Sequence, residues 1–250
     1  MDLTNKLSNQ VSYKHSPLMH NFSAAKEVLP FLLSLKTTNS ILDVGCGTGT
    51  WLKVANDLGI MEILGIDGVE IAPEDLKISP DRFIRYDLTS QINLNKHFDM
   101  LFCLEVAEHL PEEYAGNLID TLTTHSDFIV FSAAIPGQDG QNHLNEQWPN
   151  YWQELFLRKG YYPSEILRNI FWNNDKVEWW YKQNMLIFAP KSVLSGLNLE
   201  IATEVKSIVH PELLKEKLAI IDIKDTVIKN EVWAPTFKTA LKRLFKTIIH

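Results

Sequence analysis

The stretch Met100–Glu113, MLFCLEVAEHLPEE, runs from apolar residues straight into Glu105, Glu108 and His109. Its apolar half reads as a buried strand. Two carboxylates and an imidazole at the end of such a strand are types that bind a hard or borderline divalent ion, Mg or another cation. A fourth ligand is available in PGQDGQNHLNEQWPNYW (136–152), where His143 stands among polar residues. The expected ligand set is therefore Glu105, Glu108, His109 and His143. Without an ion, His143 or His109 is the expected general base, because imidazole titrates near working pH. In that case Glu105 can seat a cofactor, and His109 can cap the turn or act as the base.

A second chemical group lies upstream in LDVGCGTGT (42–50), where Gly45, Gly47 and Gly49 surround Cys46. Glycines between a strand and a helix permit positive φ and close approach of a ligand to the backbone. The dinucleotide fingerprint needs Gly or Ala at position 50, and Thr50 stands there. Asp43 precedes the loop, and Asp67 ends the next apolar run, where it can accept from two ribose hydroxyls.

Positioning these groups requires alternating strands and helices. SILDV (40–44), EILGID (62–67), RFIRYDL (82–88), FDMLFCLE (98–105) and DFIVFSAAI (127–135) read as strands. Helical spacing falls at 17–36, 50–59, 112–125 and 149–161, and two closing strands are expected at 165–172 and 184–190. Alternation of this kind implies βαβ units around a mostly parallel sheet. Ligands then bind beyond the carboxyl ends of the strands, where the strand order reverses. The loops after the fourth and fifth strands are neighbours there, which is how His143 would reach the first acidic group.

Composition sets the class. The chain has 250 residues, 45% hydrophobic and 22% charged, with net charge −7. That is ordinary globular composition, and the acidic balance argues against nucleic acid as a partner. Two cysteines exclude a disulfide framework and suit a cytoplasmic protein. No signal-like or membrane-spanning run is present. The aromatic-rich segments around Asn145, Glu146 and Trp148, and around Trp172, Trp180 and Tyr181, read as a pocket for a sugar or planar acceptor. Trp148, Tyr151 and Trp152 read equally well as helix packing. In 234–250 apolar residues fall on one helical face and Lys238, Lys242, Arg243 and Lys246 on the other. Such a helix docks on its own domain or contacts an anionic membrane surface.

Together ILDVGCGTGTWL, ILGIDG, RYDL and FDMLFCLEVAEHLP resemble, in order and spacing, the motifs of class I S-adenosylmethionine-dependent methyltransferases. The resemblance implies a Rossmann-like α/β fold: a seven-stranded, mostly parallel sheet with helices on both faces and its last strand antiparallel. It implies a methyltransferase domain over 1–190 followed by a helical C-terminal extension over 191–250. It implies that Asp43, Gly45, Cys46, Gly47 and Gly49 hold the methionine end of S-adenosylmethionine. Asp67 and Gly68 would then hold the ribose, with Asp87, Leu88 and Leu104 around the rest of the cofactor. The Glu-x-x-Glu-His spacing is similar to that of ubiquinone-pathway O-methyltransferases. With a distant histidine it also resembles the RNA 3′-end 2′-O-methyltransferases of the Hen1 kind. The expected activity is O-methylation of a sugar, glycan or other small molecule, with an RNA end as the alternative acceptor. A non-catalytic nucleoside-binding module is the rival outside enzymes.

Overall fold

The structure is a computed structural model that describes residues 21–227 and Thr239. The basic segment 234–250 lies outside the described residues except for Thr239. Helix α1 (Ser23–Leu35) opens with the Ser23 N–H donated to Asn21 Oδ1 at 2.6 Å and buries Val28, Leu29 and Leu32. Then follow β1 (Ser40–Val44), α2 (Thr50–Asp57), β2 (Glu62–Asp67), β3 (Phe83–Arg85), β4 (Met100–Leu104), α3 (Ala115–His125) and β5 (Ile129–Ser132). The sheet closes with α4 (Pro149–Leu157), β6 (Tyr161–Ser164), α5 (Ile166–Phe171), α6 (Trp179–Asn184), β7 (Leu186–Pro190) and α7 (Lys191–Gly196).

The seven strands lie in the order β3-β2-β1-β4-β5-β7-β6. All pairs from β3 to β5 are parallel, and β7 runs antiparallel to both its neighbours. Strand β4 shows why its sequence is apolar throughout. Met100, Phe102 and Leu104 enter the core under α1 and α2, while Leu101 and Cys103 enter the core under α3 and α4. A strand covered on both faces has no solvent side on which to place polar residues.

The expected closing strand at 165–172 is α5 instead, and the sixth strand is Tyr161–Ser164. Leu167 and Phe171, four apart, are buried on one face of a short helix, which is a helical rather than an alternating pattern. Strand YYPS escapes notice because Pro163 reads as a breaker. Proline is tolerated there because β6 is an edge strand. Strand β3 is also shorter than 82–88, ending at Arg85.

The chain forms two compact units, one ending at Ile208 and another beginning at Val209. The division falls later than the expected 190, because α7 and the segment behind it belong to the sheet unit. Leu194, Leu199 and Val205 are buried in its cores, and the Ala202 N–H donates to the Pro163 carbonyl at 2.9 Å. The second unit contains α8 (Pro211–Val227). Among the described residues, no helix is long and apolar enough to cross a membrane.

Candidate active site

Strand order reverses between β1 and β4, and the chemical groups gather at their carboxyl ends. Gly45, Gly47 and Gly49 all have positive φ, at 79°, 53° and 83°. The first is also sterically obligatory, since a Cβ at Gly45 would lie 2.2 Å from Val106 Cγ2. Gly45 and Cys46 donate their N–H groups to the Ile66 carbonyl at 2.7 and 3.1 Å. Asp67 ties the loop to β2, accepting the Gly47 N–H at 2.7 Å and the Val69 N–H at 2.8 Å. The Cys46 side chain is buried beside Gly65, leaving only its backbone for a ligand. Asp87 holds a turn by accepting the Thr89 N–H at 2.9 Å, and Leu88 and Leu104 are buried.

Asp43 is the informative member. It is 3% exposed, no described residue donates a hydrogen bond to it, and burial followed by the Asp67 charge pushes its pKa well up. An anion left this way fits a ligand that brings a cation, as the ammonium and sulfonium of S-adenosylmethionine do.

Glu105 ends β4 with φ 53°, a left-handed conformation that costs a non-glycine residue on the order of 1 kcal/mol. Its N–H is fixed by the Ser132 carbonyl at 3.0 Å. Its carboxylate accepts from Gln138 Nε2 at 2.9 Å and from Asn184 Nδ2 at 3.1 Å. Burial raises its pKa, and these amides offset part of the rise. Gln138, Gln183 and Asn184 form one buried amide cluster through Gln138 Oε1 and Asn184 Oδ1. Sequence reading missed all three, since isolated amides carry no spacing signal. Buried polar types just before β7 were the available clue.

Glu108, His109 and His143 come together, each offering one ligand atom within 4.8 Å of the others. Glu105 is held by the amides and is not part of that set. Glu108 is 1% exposed, and among the described residues neither carboxylate oxygen has a hydrogen-bond partner of normal geometry. Its pKa is driven well up, first by burial and then by the Glu105 charge; the nearby amides of Glu108 and Ala134 only moderate this. His109 is pushed down to about 4 by burial and by His143, so it is neutral at neutral pH. The two imidazoles meet edge to face at 5.0 Å.

The expected acceptor pocket divides. Tyr181 packs against Trp51 at 5.5 Å; burial raises its phenol pKa, with the charges of Glu105, Glu178 and Asp43 adding to the rise. Trp180 stands edge to face with Trp179, and Trp172 is half-buried. Trp148 precedes α4 and is 38% exposed, whereas Trp152 is buried against Phe131. Asn145 is buried, with Oδ1 accepting from Gln147 Nε2 at 2.9 Å. Glu146 is committed to its own loop, accepting the Gly137 N–H at 2.7 Å and the Asp139 N–H at 2.8 Å.

A sheet of this order, with a glycine loop after β1 and an acid ending β2, defines a class I S-adenosylmethionine-dependent methyltransferase. The chain belongs to the methyltransferase-domain family, whose sequence model matches residues 19–175. It is similar to the ribosomal protein L11 methyltransferase of Thermotoga neapolitana, 28% identical over 143 residues covering 50% of this chain and 52% of that protein. The Thermotoga maritima protein of the same name is 27% identical over the same length. The chain thus spans about half the length of the curated relatives it matches. Among solved structures, the methyltransferase domain of bacterial CtHen1-C shares the fold at TM-score 0.50 and 19% identity, covering 68% of this chain and 99% of that one. Streptomyces venezuelae DesVI does so at TM-score 0.52 and 12% identity, covering 71% and 100%. Magnesium protoporphyrin IX methyltransferase from Synechocystis does so at 0.50 and 15%, covering 72% and 90%.

Proposed function

We propose that this methyltransferase transfers the cofactor's methyl group to a hydroxyl of a sugar, glycan or other small molecule, assisted by a divalent cation. The observation that carries the cation is Glu108, whose two carboxylate oxygens are buried beside two imidazoles with no hydrogen-bond partner of normal geometry among the described residues. A buried anion of this kind is costly alone and is matched by a cation. Glu108, His109 and His143 would hold the ion, with Glu105 adjacent. There it would act as a Lewis acid toward the acceptor hydroxyl.

The chain's own groups supply the rest. Asp43 and the glycine loop hold the methionine end, and Asp67 orients the ribose. Methyl transfer is an in-line displacement, so most of the acceleration comes from fixing donor and acceptor. The acceptor loses one proton; without an ion, His143 or His109 would be the base that takes it. The net charge of −7 gives a phosphate-rich acceptor no electrostatic attraction. That supports a neutral acceptor over an RNA end. Two buried, unbridged cysteines support a reducing, cytoplasmic setting.

Purified protein with methyl-labelled cofactor, offered glycan, small-molecule and RNA pools with and without chelator, tests the whole reading. Label is expected in a neutral hydroxyl acceptor, and chelation is expected to abolish it. Label in RNA alone would replace the acceptor class, activity undiminished by chelation would remove the cation, and no cofactor affinity by calorimetry would remove the enzyme.

A further inference from the structure

Glu146 is surrounded by a geometry that loop stapling alone does not need. Besides the two backbone N–H groups, its Oε1 lies 2.8 Å from His143 Nδ1. A carboxylate can only accept, so Nδ1 must carry a proton, and in the neutral ring Nε2 is then the bare nitrogen. Both side chains are largely shielded, at 12% exposure for His143 and 19% for Glu146.

The surrounding loop is built to keep this pair in place. Asp139 and Asn142 adopt left-handed φ of 61° and 55°. Leu144 and Asn145 donate their N–H groups to the Glu108 carbonyl at 2.7 and 3.0 Å, anchoring both sides of the cluster to one another. Gly140 leaves room for the ring: a Cβ there would sit 2.0 Å from His143 Nε2.

We propose that Glu146 is a positioning residue, holding His143 as its Nδ1–H tautomer so that Nε2 is the nitrogen presented to the Glu108–His109–His143 cluster. What Nε2 then does rests on the cation reading above; the tautomer does not.

Two measurements on the full chain separate them. Long-range proton–nitrogen NMR on chelator-treated, ¹⁵N-labelled protein reads the His143 tautomer, and calorimetric titration with Mn²⁺ alone reads the cluster. The wild type is expected to show a single Nδ1–H tautomer. Glu146→Gln keeps an oxygen for Nδ1–H but not the charge, so the tautomer is expected to persist while Mn²⁺ binding weakens. Glu146→Leu removes the acceptor, and a tautomer mixture with Mn²⁺ binding weaker by about 10–100-fold is expected. An Nε2–H tautomer in the wild type, or an unchanged tautomer in Glu146→Leu, overturns the proposal. Equal, measurable Mn²⁺ affinity in wild type and Glu146→Leu overturns the presentation of Nε2 to the cluster while leaving the cation reading intact. A tautomer that depends on Glu146 in a wild type that binds no Mn²⁺ supports the positioning role and removes the cation.

Discussion

A carboxylate buried without a donor costs free energy whenever it is ionised, and Asp43 is in that position. Its folded-state pKa is raised, so its favourable contribution exists below the ordinary value of 3.8 and is lost as pH rises through the raised one. Asp43→Asn is therefore expected to be more stable than wild type at pH 7 in the absence of cofactor, with the gap closing as pH falls toward 3.8. About 1 kcal/mol would appear as roughly 2–4 °C in Tm. His109 works the other way: its depressed pKa withdraws stability as pH falls from 6.5 toward about 4. The comparison is thus made between variant and wild type at each pH by thermal unfolding. The same variant should bind S-adenosylmethionine at least about tenfold more weakly, a loss of about 1.4 kcal/mol readable by calorimetry. Stability and affinity moving in opposite directions is the signature of a group kept for its ligand; a variant that binds normally would remove Asp43 from the cofactor site.

Two loops carry the elements' contribution, and each depends on a missing side chain. In Gly45→Ala the added Cβ meets Val106 at 2.2 Å on a backbone with φ 79°. Strain and overpacking together predict a loss of about 2–4 kcal/mol, measured by denaturant titration, with cofactor binding abolished. Gly140→Ala should instead spare the fold, because its clash is with the His143 ring. Mn²⁺ affinity is expected to drop about tenfold or more while Tm stays within about 2 °C; an unchanged affinity would mean that His143 is not a ligand. These two loops also mark how far sequence reading reaches. The first is written in local residue types, so Gly45, Gly47, Gly49 and Asp67 were visible from spacing alone. The second depends on tertiary contact: Gln138, Asn184 and Glu105 meet only because α6 delivers Asn184 beside the end of β4. Pattern also failed where helix and strand signals compete. ILRNIF has apolar residues that suit either state, and burial of Leu167 with Phe171 decides for α5.

At the scale of the molecule, the acidic balance of −7 and the crevice carboxylates give association with anionic polymers no electrostatic assistance. The two-unit division predicts that a chain cut after Ile208 binds S-adenosylmethionine within about twofold of the full chain, by calorimetry, since a twofold change is below about 0.5 kcal/mol. A chain cut at 190 should behave differently. Tyr161–Ser164 is the sheet's terminal strand, its outward Pro163 carbonyl is answered by Ala202, and Pro163 itself has no N–H to offer. Taking away 191–208 would leave that border open together with the apolar surface under Leu194, Leu199 and Val205. An uncovered strand border is a template for another chain. The segment behind β7 thus works as a guard against self-association, and light scattering of the two truncations should find the shorter one forming aggregates and the longer one dispersed.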